Sequence, residues 1–584
     1  MTLRLKPVDA VIIGFGWSGA LLAEALSSAG LSVVALERGR WRDTAENFPP
    51  SRAPDELRYA VRHDLVVKPA ENTITFRNSV AQMALPIRAW GSFLPASGAG
   101  GGGVHWNGQT WRFRPSDFTL KSDTIARYGK RFLPPDLSIE DWGVTYDQLE
   151  PYYDRFEYIC GISGKSGNLR GRIEAGGNPF EGPRAREYPT PPMTMPYAPT
   201  LFAEASRELG YHPFPQPSAN LSQAYTNPLG VTLGACTYCG FCERFGCGNY
   251  AKASPQTTLM PVLRRRKNFS LRTECTALAI DHEGGKARGV TYTDASGEVF
   301  FQPAEIVLCC AYTFENIRLL LLSGIGAPYD PQTGRGVVGR NYAYQTTSSV
   351  ALGFDGKLLN PFIGAGALGT VVDDWNGDHY DHGPLGFIGG AYLAALATNG
   401  RPILNHPVPP GEPRWGASWK RAVAKSYLRT TRLLAQGSSL SHRGAYCDLD
   451  PNYRDRFGRP LLRLTFDFHP NDLKMSHFVT EKLAAIARAM RPDWMTIANR
   501  EAPYSVVPYQ STHNVGGAAM GADRGSSVVN PYLQSWDLAN LFVIGASAFP
   551  QNPGYNPTGT VAALALHASD AITQRYLRAP GPLA

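Results

Sequence analysis

The chain of 584 residues carries 57 basic and 49 acidic side chains, a net charge of +8, with 43% hydrophobic residues, 60 Gly and 46 Pro. That composition excludes a disordered or fibrous protein and describes a loop-rich globular one, while a small net charge without a basic stripe argues against nucleic acid as a partner. The longest apolar runs, such as Ile306 to Tyr312, fall far short of the roughly 20 residues of a membrane helix, so membrane contact is expected only through a partner.

Val8 to Ile13 reads as a buried strand, reached too soon for Met1 to Pro7 to hold a signal peptide. The chain is therefore expected in the cytoplasm or exported on another subunit's signal. Gly14-Phe-Gly16-Trp-Ser-Gly19 then predicts a tight turn, Ala20 to Ala29 a helix, and Ser32 to Leu36 a second strand ending in Glu37. This is a dinucleotide fingerprint in its proper context. The glycines let the backbone approach a pyrophosphate at the helix N-terminus, and Glu37 can accept from ribose hydroxyls. A second glycine-rich stretch, Gly98 to Gly103, leads through His105-Trp106-Asn107 into Gln109-Thr-Trp-Arg-Phe. It reads either as a flexible loop or as backbone lying flat against a ring system.

Residues 150 to 230, rich in Pro, Tyr and Asn, read as a loop-heavy insertion. Four of the nine cysteines follow within twelve residues: Cys236, Cys239, Cys242 and Cys247. Thiolates so crowded can ligate iron-sulfur, bind zinc or pair as disulfides, and the x2, x2, x4 spacing favours a compact iron-sulfur loop. Ser254 to Leu263 predicts a helix whose end is closed by Arg264-Arg-Arg-Lys267, and Leu271 to Ala279, Gly289 to Tyr292 and Glu305 to Cys310 predict strands. Cys160, Cys275, Cys309, Cys310 and Cys447 are isolated or end apolar segments, and are expected to be buried packing residues. From about 346 to 500 an antiparallel sheet with helices is expected, including a strand from Pro460 and a helix from Asp472 to Met490. Asn540 to Pro550 reads as strand and turn, and Thr558 to Tyr576 as a long helix.

Ala311 to Gly326, Val338-Gly-Arg-Asn341, His513 to Gly521 and Gly554 to Thr560 together resemble the signatures of the glucose-methanol-choline (GMC) oxidoreductases, and the likeness runs from Val8 to the C-terminal helix. The resemblance implies an α/β fold, α+β overall, with a Rossmann-like FAD-binding domain (1–150, 231–345 and 501–584) and an inserted antiparallel-sheet substrate region (151–230 and 346–500). It implies FAD held by Gly14, Gly16, Gly19 and Glu37 together with Gly102, His105, Asn107, Ala277, Gly545 and Thr558, with His105 joined covalently to the flavin. It also implies His513 as the base that removes a hydroxyl proton, with Asn556 holding the substrate oxygen.

Within the family the cysteine loop is similar to that of membrane-bound bacterial dehydrogenases with an iron-sulfur cluster in the flavin subunit. That likeness implies oxidation of a secondary hydroxyl of a sugar acid, D-gluconate to 2-keto-D-gluconate, at the periplasmic face of the inner membrane. The implied partners are a small subunit with a twin-arginine signal and a multihaem cytochrome c that anchors the complex. Those relatives hold a three-iron cluster on three cysteines at x5 and x3 spacing. Here Cys236, Cys242 and Cys247 give x5 and x4, and Cys239 is extra. A three-iron (3Fe-4S) cluster is favoured and a four-iron (4Fe-4S) cluster stays open. The alternatives are the same machinery acting on a neutral sugar or polyol, and an oxygen-using oxidase with structural zinc. A carboxylate substrate calls for a cation, and Arg88, Arg112 and Arg114 lie near the glycine-rich stretch, where arginines equally serve flavin phosphate or solvent.

Overall fold

The computed structural model describes residues 2–49, 54–91, 93–398 and 401–583. Its central sheet is built on a parallel core ordered Phe269–Arg272, Val33–Leu36, Val8–Ile13 and Val299–Cys309, with Leu541–Val543 also running parallel to the last. These strands are near-continuous apolar runs because both faces are covered, as a parallel sheet requires. Val299–Cys309 serves two sheets at once. Its first half pairs antiparallel with Lys286–Thr293, which in turn pairs with Thr276–Glu283, and its second half joins the parallel core. The helices Trp17–Ser28 and Thr558–Ala571 pack together beside the core, and Tyr146–Cys160 lies against Thr558–Ala571, where the Tyr153 and Thr560 hydroxyls meet at 2.6 Å.

A second, antiparallel sheet of six strands is ordered Trp494–Ala498, Thr346–Gly353, Thr430–Gly437, Ala391–Leu396, Gly369–Val372 and Phe214–Pro215. One face packs Val350, Leu352, Leu393 and Leu433 against Met475, Val479 and Leu483 of the helix Pro470–Ala489. Alternate residues of the same strands point the other way, Gln436 toward the cleft and Ala351, Arg432 and Thr496 toward a second cavity, both described below.

The Rossmann-like α/β architecture agrees with the sequence reading, and several local expectations are corrected. The first helix begins at Trp17, three residues earlier than Ala20, so Gly19 lies in its first turn; a Cβ there would meet the Gly14 carbonyl at 2.1 Å. The helix expected over Ser254 to Leu263 is two short turns, Pro255–Thr258 and Met260–Leu263, because Pro261 has no N–H to continue the ladder. The strand expected from Leu271 to Ala279 breaks at Thr273–Cys275, where Glu274 takes a left-handed φ of 57° and the chain turns to bond Gly39 and Glu37. Residues 150 to 230 are less loop-heavy than expected, since they include most of the helix Tyr146–Cys160, with Pro151 inside it, and the helix Tyr197–Glu208. The last helix ends at Ala571 and passes into a π-turn, Ile572–Tyr576. Among the described residues no helix is long and apolar enough to cross a membrane.

Candidate active site

Where the first strand ends, Gly14 takes φ 92° against Ala311, and the helix N-terminus at Trp17 opens onto a cleft with a cavity volume of about 350 Å³. Gly14, Gly16, Glu37, Gly102, His105, Asn107, Ala277, Gly545 and Thr558 all line it, and so do His513 and Asn556. Gly19 does not; its part is the close packing of helix on strand. Glu37 accepts the Phe15 N–H at 3.0 Å and the Gly39 N–H at 2.8 Å, so the acid that faces the cleft also ties the glycine turn to the second strand. Burial pushes its pKa up while these backbone donors oppose the rise.

The donor set fits a flavin nucleotide. A Cβ at Gly102 would enter open space, and His105, buried and lining the cleft, has an Nε2 without a partner among the described residues. Burial, with the Lys252 ammonium nearby, pushes the His105 pKa down to about 4, so its ring is neutral.

His513 and Asn556, 43 residues apart in sequence, meet with Asn556 Nδ2 donating to His513 Nε2 at 3.3 Å. The segment bearing His513 is pinned on both sides. Thr313 donates to the Asn514 carbonyl at 2.6 Å, and Val515 and Gly516 bond the chain at Ala343 and Ala546. Gln345 Nε2 donates to the Gly554 carbonyl at 2.6 Å, which turns its Oε1 toward His513 Nδ1, 2.5 Å away. An acceptor there assigns the proton to Nδ1 and leaves the Nε2 lone pair toward Asn556 and the cleft. Burial pushes the His513 pKa down to about 3, although its ring borders the open cleft and is only half-buried by exposure.

Asn556 is oriented by the same logic. Trp111 Nε1 donates to its Oδ1 at 3.0 Å, so Nδ2 is the atom presented to His513; the Tyr392 hydroxyl lies 2.9 Å from the same oxygen, and its one proton can go to only one of the amide oxygens of Asn556, Gln109 and Gln436 around it. Trp111 in turn stacks on Tyr555 at 4.7 Å and 7°. Gln345, Trp111 and Tyr392 were missed by sequence reasoning. Trp111 stands beside the second glycine-rich stretch and was within reach of it; Gln345 and Tyr392 carry no local signal.

The cysteine loop lies directly behind His105. Arg244 N–H donates to the His105 carbonyl at 2.7 Å, and the buried Lys252 ammonium bonds the carbonyls of Trp106, Cys242 and Phe245 at 2.7 to 2.8 Å. Cys242 donates to Asn220 Oδ1, and Asn220 Nδ2 donates to the carbonyl of the cleft residue Asn107. The four thiols are free and differ in exposure: Cys242 buried, Cys239 exposed, Cys236 and Cys247 between. Among the described residues no three metal-ligating side chains gather to hold an ion. The expected ligand set is thus not preassembled, with left-handed residues at Tyr238 and Arg244 turning the loop between its cysteines. Cys160, Cys275, Cys309, Cys310 and Cys447 are buried as expected.

The arginines named from sequence do not serve the cleft. Arg112 is buried against Glu157 and Glu150 at 2.8 Å each, Arg114 against Asp117 at 2.6 Å, and Arg88 is exposed.

Family models described as GMC oxidoreductase match residues 143–347 and 445–565. The chain belongs to the GMC oxidoreductase family. This GMC oxidoreductase is 46% identical over 589 aligned residues to the gluconate 2-dehydrogenase flavoprotein of Pantoea cypripedii, covering 99% of this chain and 96% of that one. It is 25% identical to the fructose dehydrogenase large subunit of Gluconobacter japonicus over 98% of this chain and 99% of the relative. Among solved structures, pyridoxine 4-oxidase from Mesorbium loti superposes with a TM-score of 0.59 at 17% identity, over 97% and 99% of the two chains, a likeness of fold alone. Membership of the family makes the protein a flavin-dependent oxidoreductase and implies FAD as its cofactor.

Proposed function

We propose that this GMC oxidoreductase is the flavin-bearing subunit of a dehydrogenase that oxidises a secondary hydroxyl of a sugar acid, D-gluconate to 2-keto-D-gluconate. The observation that carries the reading is the likeness to the Pantoea cypripedii flavoprotein over nearly the full length of both chains. Bound FAD supplies a hydride acceptor. The protein supplies the rest. His513, neutral and with its Nε2 lone pair toward the cleft, takes the hydroxyl proton, and Asn556 Nδ2 donates to the substrate oxygen as negative charge develops on it. Gln345 fixes the tautomer of the base; Trp111 fixes the amide, with the Tyr392 hydroxyl beside it.

The remaining cofactor residues are proposed in the same terms: Gly14, Gly16 and Glu37 at the nucleotide, and Gly102, Asn107, Ala277, Gly545 and Thr558 along the cleft, with Gly19 supporting the turn. His105 is proposed as the covalent attachment point. Cys236, Cys242 and Cys247, with Cys239 as a fourth candidate, are proposed as ligands of an iron-sulfur cluster, three-iron favoured. That reading is supported by the thiolate donor set and by the loop's place on the flank of the cleft, where Arg244 N–H bonds the His105 carbonyl and Lys252 and Asn220, which bond the loop at Cys242, also bond the carbonyls of Trp106 and Asn107. Electrons are proposed to leave toward a cytochrome c subunit at the periplasmic face, the chain being exported with a small subunit that bears a twin-arginine signal; free thiols suit a protein folded before export.

The test is a substrate screen of the purified complex with an artificial electron acceptor, together with iron and sulfide analysis. Gluconate should be oxidised in preference to glucose, fructose and sorbitol, and iron should accompany acid-labile sulfide. Turnover of fructose or sorbitol without gluconate would select the neutral-sugar reading, and zinc without iron would remove the cluster.

A further inference from the structure

A second cavity, of about 940 Å³, lies over the face of the six-stranded sheet that turns away from the Pro470–Ala489 helix. Ala351, Arg432 and Thr496 line it from the sheet, and residues 401–414 border it on another side. Arg244 and Tyr509 line both this chamber and the flavin cleft, with the Arg244 guanidinium 4.5 Å from the centre of the Tyr509 ring, so these two side chains form the throat between them. The strand Thr430–Gly437 runs the same way. Arg432 lines the outer chamber, and Gln436, on the same face about 13 Å along the strand at ~3.3 Å per residue, lines the cleft that holds His513.

The throat has more cation than its own acid satisfies. Glu243 faces Arg401 at 3.3 Å and Arg244 at 3.9 Å, one carboxylate between two guanidinium groups. Arg244 Nε is the atom that faces Glu243 Oε1, too far for a hydrogen bond, and among the described residues Arg401 Nη1 is buried without a hydrogen-bond partner. The other arginines of the cleft are differently placed: Arg38 bonds Glu315, and Arg318 and Arg459 bond Asp455. Arg244 is also held rigidly, its N–H on the His105 carbonyl and its Nη1 on the Ala60 carbonyl, at a left-handed φ of 73° that side chains seldom adopt. Two buried guanidinium groups that share one carboxylate leave an excess positive charge at the entrance to the cleft, which a second anion would neutralise.

We propose that Arg244, assisted by Arg401, binds the carboxylate of an anionic hydroxy-acid substrate at the throat and thereby selects sugar acids over neutral sugars at His513. Glu243 neutralises one of the two guanidinium charges, and the substrate carboxylate answers the second. The inference rests on the sugar-acid reading given above and names the residues that enforce it.

The test uses the purified holoenzyme complex with Arg244→Met, Arg244→Lys and Arg401→Met, read by steady-state kinetics with D-gluconate and by flavin absorbance. Arg244→Met should raise the KM for gluconate about 10- to 100-fold, as expected for a lost charge-assisted hydrogen bond, with kcat at saturation and flavin content within about threefold of wild type. Arg244→Lys should retain part of the affinity, and Arg401→Met, on the bordering segment, should show a smaller rise if Arg244→Met does not fold. High salt should raise the wild-type KM and leave that of Arg244→Met unmoved. An unchanged gluconate KM in both methionine variants would overturn the proposal. If the wild-type complex proves to oxidise only a neutral sugar, the substrate reading has failed while the throat remains testable. Gluconate should then act as a competitive inhibitor whose effect is lost in Arg244→Met, and absence of that inhibition in wild type, or its persistence in the variant, would refute the role of Arg244.

Discussion

The contact between Gln345 and His513 gives the sharpest test of the proposed base. Gln345 is fully buried, its amide fixed by the bond from Nε2 to the Gly554 carbonyl, and its Oε1 receives the His513 Nδ1 proton. Replacing Gln345 by Leu keeps the volume roughly constant and removes the acceptor. A hydrogen bond contributes about 1 kcal/mol net, so the tautomer with a free Nε2 loses roughly fivefold in relative population, and loss of ring orientation adds to this. Flavin reduction should therefore slow about 5- to 20-fold, well short of removing the base altogether. Gln345→Glu tests the same geometry from the other side. Burial holds the wild-type His513 pKa near 3, so the base is competent above that value and is lost only when pH falls through it. A carboxylate opposite Nδ1 favours the imidazolium and raises that pKa, moving the acid limb of the pH–rate profile toward neutrality. Anaerobic stopped-flow reduction of the flavin by the best substrate, measured across pH, reads both effects. Wild-type rates in Gln345→Leu together with an unshifted acid limb in Gln345→Glu would refute the tautomer argument.

Four further outcomes follow from the same geometry. His513→Ala should slow flavin reduction by ~10²- to 10⁴-fold with FAD content near wild type, and a near-normal rate at neutral pH would assign the proton to another group. Trp111→Phe preserves the stack on Tyr555 and removes the indole donor to Asn556 Oδ1, so kcat/KM should fall about 3- to 10-fold, measured by steady-state kinetics. The flavin should remain with the polypeptide after acid precipitation and be released from His105→Ala; complete release of FAD from wild type would exclude the covalent bond. Burial pushes the pKa of Asp472 up to about 7 from its ordinary value, so the native state binds more protons than the unfolded chain between these values and stability falls as pH rises through that window. Asp472→Asn removes this titration, and thermal melts should show its Tm gaining on wild type as pH is raised from mildly acidic to mildly alkaline.

The sequence by itself determined what depends on neighbours along the chain. Apolar runs with tight glycine turns specified the strand Val8–Ile13, the turn at Gly14 and the acid at Glu37, because each is dictated by local sterics and by burial of a continuous segment. His513 and Asn556 could be proposed as a pair because each sits in its own compact, family-like motif, and the fold brings them into contact. The tertiary structure decided what depends on chain segments meeting from a distance. Gln345, Trp111 and Tyr392 lie far from the residues they orient, and no periodicity points to them; only packing brings an amide, an indole and a phenol onto one histidine–asparagine pair. Arg112 and Arg114 looked available in sequence and are neutralised by Glu157, Glu150 and Asp117, whereas Arg244, inconspicuous among cysteines, shares a single carboxylate, Glu243, with Arg401 at the throat. Spacing could crowd four thiols into one loop, but the direction each takes is set by the left-handed turns at Tyr238 and Arg244 and by the packing of Cys242 into the interior. Local conformational preference writes the elements; charge neutralisation and side-chain orientation are settled by burial, where an unpaired group costs far more than it does in water.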